Sequence, residues 1–157
     1  MYKINNVIDG RTYCLHDQRD RNLRVIEPRL TLTLNKTGAL TFRIPSSHMY
    51  SNTLKKLKSS IQVMEDGILI YEGRVLSDES DFYNTKDVVC EGSLAYLIDS
   101  AQRPFSLSGN IHDFLAQMVE NHNRQVEERK QFVLGRVNVA DENNELKRES
   151  TKIDNTW

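Results

Sequence analysis

The sequence lacks long apolar runs. Its longest ones, such as Ile68–Tyr71, fall far short of the roughly 20 residues that a membrane-spanning helix needs. Residues 1–6 also lack the apolar core of a signal peptide. We therefore expect a protein with no membrane partner, made in the cytoplasm and kept there until it assembles.

An excess of charge of either sign is also lacking. The 157 residues include 21 Lys and Arg and 22 Asp and Glu, which gives a formal net charge of -1. A dedicated nucleic-acid-binding protein carries a basic excess that replaces the counterions on phosphate. The balance therefore predicts no tight binding of nucleic acid and no electrostatic adhesion to an anionic membrane.

Cysteine is scarce. The two thiols, Cys14 and Cys90, belong to no Cys-x-x-Cys motif. Both are expected to pack as small hydrophobic side chains. A disulfide between them is geometrically possible, but a reducing compartment disfavours it. A chain of this length can remove about 70% of its unfolded-state surface from water. Folding therefore requires neither a disulfide nor a metal.

Recognisable catalytic motifs are missing. The seven glycines form no phosphate-binding loop. Residues 36–38 read Lys-Thr-Gly, as in serine β-lactamases, but that chemistry needs a Ser-x-x-Lys nucleophile, and no serine here has a lysine three residues later. These residues are better explained as a hairpin turn. Ser47 and His48 are adjacent but have no evident acid to orient the histidine.

No metal site or acid–base site is predicted. Two histidines at i, i+4 would lie on one helix face and could bind zinc, but no pair has that spacing among His16, His48, His112 and His122. Of these, His122 is expected to be packed and hydrogen-bonded. Solvated carboxylates in turns do not support general acid–base catalysis, and the acidic clusters fall in predicted turns at Asp78, Glu79, Asp81, Asp141, Glu142 and Glu145. We predict no catalytic, cofactor-binding or metal-binding residue.

Hairpin signals dominate the first hundred residues. Asp9-Gly10 indicates a short opening hairpin, and Asp66-Gly67 lies between two apolar-alternating runs, which is a strong hairpin signal. Period-two alternation predicts strands at 30–35 and 40–44, joined by a turn at Gly38 and ended by Pro45. Lys86–Gly92 indicates a further strand.

Helical signals are fewer. Asn52 is expected to cap a short helix over Thr53–Ser59 with Leu54 and Leu57 on its inner face. Ser77–Asp81 is interpreted as a polar break. Ser93 is expected to cap a helical turn over residues 94–100, with its apolar side chains at Leu94, Leu97 and Ile98.

Pro104 marks a predicted domain boundary. Beyond it, Asn110 is a candidate N-cap for an amphipathic helix that carries an apolar stripe from Ile111 to His122 and ends in a solvated part at 127–130. Residues 132–139 predict a strand pair or a bulged strand around Gly135, followed by a polar turn at 141–145. That strand has no evident later partner, so we expect the second unit to be cut short and the parent protein to continue past Trp157.

These patterns predict a mainly β fold with some α-helix (α+β). Residues 1–103 are expected to form a first, hairpin-rich β domain. Residues 104–157 are expected to supply a helix plus strands, as the start of a second, incomplete domain.

The order and spacing of several short motifs resemble a known family. The motifs are Leu40–Pro45, Leu54, Leu57, Ser60, Ile61, Asp66, Gly67, Tyr71–Val75, Asp81, Phe82, Cys90–Gly92, Leu94–Leu97, Asp99 and Ser100. The chain resembles the N-terminal region of phage minor structural proteins, the tail-associated or endopeptidase-tail proteins of long-tailed phages and prophages of Gram-positive bacteria. The resemblance covers about residues 25–105. The helix from Asn110 and the closing residues 155–157 match more loosely.

The resemblance implies a baseplate-hub fold, as in contractile phage tails and the spike of type VI secretion systems. It implies small β-barrel-like domains of which three copies form a ring that closes the tail tube. The implied partners are further copies of the chain, distal tail proteins and tail-tube proteins, at the virion tail tip. It implies no enzymatic residue within this chain.

Two other functions stay open from the sequence. The chain is also compatible with the N-terminal anchor of a tail-associated cell-wall hydrolase or endopeptidase whose catalytic domain lies beyond residue 157. A third hypothesis is an unrelated β-barrel ligand-binding module, for which Tyr50 and Tyr83 are the candidate groove aromatics. The basic cluster Lys55, Lys56 and Lys58 is interpreted as a solvated face or a subunit contact.

Overall fold

The computed structural model describes residues 1–82, 84–139 and 146–155. The chain divides into two compact units, Met1–Leu94 and Ala95–Trp157. This division falls earlier in the chain than the boundary predicted at Pro104. The residues just before Pro104 belong with the second unit because Gln125 accepts from the Ala101 amide at 3.1 Å and donates to the Ala101 carbonyl at 3.0 Å.

The first unit is a seven-stranded antiparallel sheet that curls into a half-barrel. The strand order across the sheet is β2-β1-β5-β6-β7-β4-β3, so β2 and β3 are the outermost strands. The mainly β fold with some helix is confirmed. The strands are β1 (Tyr2–Ile8), β2 (Arg11–Asp17), β3 (Ile26–Thr31), β4 (Ala39–Pro45), β5 (Ser60–Glu65), β6 (Ile68–Ser80) and β7 (Thr85–Gly92).

The core lies on one face of this curled sheet. Alternation along β4 buries every second side chain, as the period of a strand requires. Apolar residues of β1, β5, β6 and β7 pack against it. Members of the cluster include Ile4, Leu40, Phe42, Ile44, Ile61, Val63, Tyr71, Val75 and Val88.

Two predicted hairpins are confirmed, and their turns explain why. Asp9-Gly10 joins β1 to β2, and Asp66-Gly67 joins β5 to β6. All four residues have positive φ, between 49° and 86°. Two consecutive positive-φ residues give the turn whose twist matches that of paired strands.

The hairpin around Gly38 differs from its prediction at one strand. β4 ends at Pro45 as expected and Gly38 has φ 73°. However, β3 begins at Ile26 and ends at Thr31, so Leu34 is not in a strand and its surface is 89% exposed. The placement of a strand over residues 30–35 was wrong because a local turn, closed by the Lys36 amide on the Thr33 carbonyl at 3.1 Å, interrupts the pairing.

The predicted helix over Thr53–Ser59 is wrong. A single 3-10 turn covers Ser51–Thr53. Leu57 has φ 60° and donates its amide to the Val75 carbonyl at 2.8 Å, while the Ser59 hydroxyl accepts from the Lys55 amide at 2.9 Å. The positive φ of Leu57 interrupts the helical path of the backbone, and Leu57 is exposed instead of facing inward.

The predicted polar break at Ser77–Asp81 is also wrong over most of its length. β6 continues to Ser80 and pairs Ser77 with Val89 across β7 after a bulge that follows Val75. The bulge changes which side chains face the core, so a polar sequence continues the strand.

The turn after β7 forms with a different inner face from the one predicted. A 3-10 helix covers Ser93–Asp99. It buries Ala95, Tyr96 and Leu97, whereas Leu94 and Ile98 are exposed. Of the three apolar side chains predicted to face inward, only Leu97 does so.

The second unit is built around α1 (Ile111–Asn123). Its predicted cap is confirmed, since the Asn110 side chain accepts from the Asp113 amide at 2.8 Å. The helix ends at Asn123, before the predicted solvated part, which instead contains a 3-10 turn at Glu128–Lys130. Two short ladders complete the unit: β8 (Ala101–Gln102) pairs with β11 (Asp154–Asn155), and β9 (Phe105–Gly109) pairs with β10 (Leu146–Ser150).

The predicted strand over residues 132–139 is wrong, because neither helix nor strand is present between 131 and 139. Its sequence alternates like a strand, but a strand needs a neighbour to receive its hydrogen bonds. The turn predicted at 141–145 lies outside the described residues.

Candidate assembly surface

The mouth of the curled sheet contains an apolar cleft of about 560 Å³. Aliphatic side chains from β1, β3, β4, β5 and β6 and from the residue after β3 supply most of its lining, namely Ile4, Leu30, Leu32, Leu40, Val63 and Ile70. Clefts in the mouths of barrels are common binding sites.

The floor of the cleft is closed and its rim is open. Ile4 and Leu40 are buried, whereas Leu32 is 58% exposed and Tyr2 is 43% exposed. Large apolar side chains exposed together at one place on a soluble protein indicate an interaction site. The cleft can therefore receive apolar side chains from a partner.

The polar groups at the cleft hold the protein's own backbone. The His16 ring accepts from the Val25 amide at 3.3 Å, and burial, followed by the charge of Arg24, lowers the pKa of His16. The Gln18 side chain accepts from the Tyr2 amide at 3.4 Å. A hydrogen bond with Glu65 raises the pKa of Tyr2. These contacts shape the rim and provide no nucleophile–base pair.

The two outer strands differ in how their edges are protected. At β2, the His48 ring bonds the Leu15 carbonyl at 3.0 Å, and the rings of Tyr13 and Tyr50 lie 5.3 Å apart. At β3, Pro28 has no amide hydrogen to offer. The contacts at β2 and the proline in β3 both limit uncontrolled pairing of these edges with other strands. The short stretch of β3 after Pro28 is not protected in this way.

The histidines flagged in the sequence have structural roles or none. His122 is fully buried, as predicted, between the Ser100 hydroxyl at 2.7 Å and the Lys130 carbonyl at 3.0 Å. His48 is held by Leu15, and burial lowers its pKa. His112 is exposed beside Asp113.

The acidic residues flagged in the sequence are not brought into a reactive pair. Asp81 bonds Arg43 at 3.0 Å and the Thr85 hydroxyl at 2.6 Å, which fixes the turn into β7. Asp78 and Glu79 lie on β6. Across the part of the chain that the structure describes, no three His, Cys, Asp or Glu side chains form a group that could hold a metal ion. Residues 141–145 and Tyr83 lie outside that part.

Both cysteines are free thiols. Burial raises the pKa of Cys90 to about 12, and burial also raises the pKa of Cys14. A thiol is a nucleophile only as thiolate, so these environments disfavour reactivity. Leu57 is exposed, and so are the three lysines of the basic cluster that flank it in the sequence, namely Lys55, Lys56 and Lys58.

No helix in the described ranges is long and apolar enough to cross a membrane. The cleft is not predictable from the sequence patterns, although most of its lining comes from strands that those patterns indicate. Tyr2 and Ile4, two residues apart at the start of β1, indicate an apolar face in the sequence. The location of this face beside β3 depends on pairing between strands that are distant in the chain.

Solved structures with a similar fold are tail proteins. The chain is similar to a prophage tail protein, gp18, from Listeria monocytogenes EGD-e, with a TM-score of 0.61 and 16% identity over 94% of this chain and 40% of that one. It is similar to a tail protein from Neisseria meningitidis MC58, with a TM-score of 0.51 and 13% identity over 76% of this chain and 33% of that one.

The sequence matches no protein-family model and no curated protein. The chain spans about a third to two fifths of the length of these two tail proteins. At these identities the similarity shows a shared fold.

Proposed function

We propose that the protein is a structural component of a bacteriophage or prophage tail. The observation that carries the proposal is the similarity of fold to the Listeria prophage tail protein over 94% of the chain. Shared fold alone does not fix function. The proposal is supported further by an open apolar cleft, which can receive apolar side chains from a partner.

In finer detail, we propose a place at the tail tip, in a baseplate hub that closes the tail tube. Copies of the chain would assemble with one another, as a trimer by the family resemblance, and dock onto tail-tube and distal tail proteins. A curled sheet with two outer strands and a rim of exposed apolar side chains is a suitable unit for a symmetric ring.

The near-neutral charge agrees with a role beside a DNA conduit. A ring that DNA passes through should not bind the phosphates tightly, because tight binding would stall passage. The formal net charge of -1 supplies no basic excess for such binding.

Immunogold electron microscopy tests the proposal. An antibody raised against the 157-residue chain is applied to tailed particles from a culture that carries the gene. We expect gold at one end of the tail, and no gold when the antibody is first absorbed with the purified chain. Particles labelled on the capsid, or intact tails without label after mild detergent opening, would contradict a tail-tip location.

A further inference from the structure

Residues 133–139 have the composition of a strand but no partner. Throughout the described ranges, these residues take part in no backbone hydrogen bond and no strand ladder. Their start is fixed, because the Phe132 amide donates to Asn123 Oδ1 at 2.9 Å and the Phe132 carbonyl accepts from Asn123 Nδ2 at 2.7 Å. The segment is therefore held at one end and unpaired along its length.

The side chains of this segment would present one apolar face if it were extended. Val133, Val137 and Val139 are separated by even numbers of residues, which puts them on the same side of a strand. Val133 is 95% exposed and Val139 is 65% exposed. β-branched residues favour strands and pack well on pleated surfaces. Val137 between them is half-buried, so the two exposed valines at the ends of the segment are the ones left without an apolar surface to pack against.

The first unit offers such a surface. Leu30 and Leu32 line the cleft from β3 and the residue after it, and β3 beyond Pro28 is an outer strand with an unblocked edge. An extended segment laid there would place alternate side chains in the cleft while its backbone bonds Arg29–Thr31. Backbone pairing combined with pockets for alternate side chains is the geometry of strand addition.

We propose that residues 133–139 of one copy add alongside β3 of a second copy and insert their valines into its apolar cleft. This inference rests on the proposed function, because it specifies the surface through which copies of the chain associate. A second copy is the occupant because the chain itself carries both the unpaired segment and the unpaired edge.

A complementation experiment with two full-length variants tests the pairing. The segment variant carries Val133→Asp and Val139→Asp, and the cleft variant carries Leu32→Asp. All three positions are exposed, so both variants should keep the fold, which circular dichroism checks. Met49→Asp and Ile153→Asp are matched controls, because these apolar side chains are 67% and 71% exposed elsewhere.

Sedimentation velocity over a concentration series gives the readout. We expect the unaltered chain to self-associate and each test variant to weaken association at least about tenfold, since an aspartate would be buried without a partner. The controls should leave association unchanged. An equimolar mixture of the two test variants should form a 1:1 complex, because the intact segment of one fits the intact cleft of the other.

Three results would overturn the inference: a monomeric unaltered chain at submillimolar concentration, association that both test variants retain, or a mixture that stays monomeric. Gold labelling of tail ends is independent of all three. If the protein is located in the tail but associates through another surface, this inference fails while the proposed function stands.

Discussion

The Ser100 hydroxyl lies 2.7 Å from Nδ1 of His122, and both side chains are buried. The other ring nitrogen of His122 donates to the Lys130 carbonyl at 3.0 Å. Since a carbonyl only accepts, Nε2 carries a hydrogen, and in the neutral ring Nδ1 is then an acceptor. The single hydrogen of the Ser100 hydroxyl thus has two acceptors within reach, Nδ1 of His122 at 2.7 Å and the Leu97 carbonyl at 3.2 Å, of which Nδ1 is the nearer. This pair joins the 3-10 turn before Ser100, helix α1 and the turn at Glu128–Lys130.

Replacing Ser100 with alanine should destabilise the second unit by about 1–3 kcal/mol, because it leaves Nδ1 of His122 buried without a donor. Hydrogen exchange followed by mass spectrometry on peptides from α1 measures the loss. Ser106→Ala, at an exposed position of β9, is the control and should change exchange little. Equal exchange in the two variants would contradict the role assigned to the pair.

The Arg74–Glu91 pair predicts a non-additive result. Nε of Arg74 lies 2.6 Å from the Glu91 carboxylate across β6 and β7, and the arginine side chain is 10% exposed. Glu91→Gln should cost up to about 3 kcal/mol because it removes the opposite charge beside a nearly buried guanidinium. The double variant Arg74→Met with Glu91→Leu should cost less than the single one. Urea unfolding of the unaltered chain, the single variant and the double variant checks this, and a double variant that is no more stable than the single one would refute it.

Gly92 predicts a steric effect on the loop before β4. A Cβ at this position would lie 1.7 Å from the Thr37 carbonyl oxygen, which is backbone and cannot swing away. Gly92→Ala should therefore lower the free energy of unfolding by about 3 kcal/mol. Gly109→Ala is the matched control, since its nearest neighbour would be 3.8 Å away. Similar melting temperatures for the two variants would count against this packing.

His48 predicts that stability falls in mild acid. Its ring accepts from the Tyr50 amide at 3.2 Å, and burial lowers its pKa below the ordinary 6.5. Because the unfolded chain then binds the proton more readily, stability is fully present above about pH 6.5 and declines as pH falls from there toward the folded-state pKa. His16, whose pKa is also lowered, adds to the same slope.

The measurement is the free energy of unfolding at intervals from neutral pH downwards. His48→Gln should flatten the slope between the two pKa values, whereas His112→Gln, at an exposed position, should leave it unchanged. If the His48 variant keeps the full pH dependence of the free energy of unfolding, groups other than His48 cause it.

A zymogram with cell-wall material in the gel tests whether the chain is catalytic. We expect no clearing at the position of the 18.2 kDa chain, since the polar side chains at the cleft bond the protein's own backbone. Lysozyme in a neighbouring lane shows that the gel reports hydrolysis. Clearing by the chain would refute the non-enzymatic part of the proposal.

Local chemistry made part of the fold predictable. Asp66-Gly67 and Asn110 act on neighbours a few residues away, so their turn and cap follow from the sequence. Leu57 was misplaced because its amide bonds Val75, which is distant in sequence, and the bulge after Val75 equally hides the continuation of β6. Such contacts exist only once the strands have paired.

The apolar cleft was unpredictable for the same reason, because Tyr2 and Leu32 meet only in the curled sheet. The strand predicted over residues 132–139 is wrong for a different reason. Their alternation has the period of a strand, but no neighbouring strand in the described residues receives their hydrogen bonds, so no ladder forms. The absence of catalytic motifs, in contrast, needed only residue types and spacing.

Pro28 limits how much of the outer strand another segment can pair with. Because it has no amide hydrogen and lies at a register shift in β3, continuous pairing along this strand is interrupted there. A segment added at this edge would therefore gain backbone hydrogen bonds only over the short stretch after Pro28, and most of its affinity would have to come from side chains placed in the cleft.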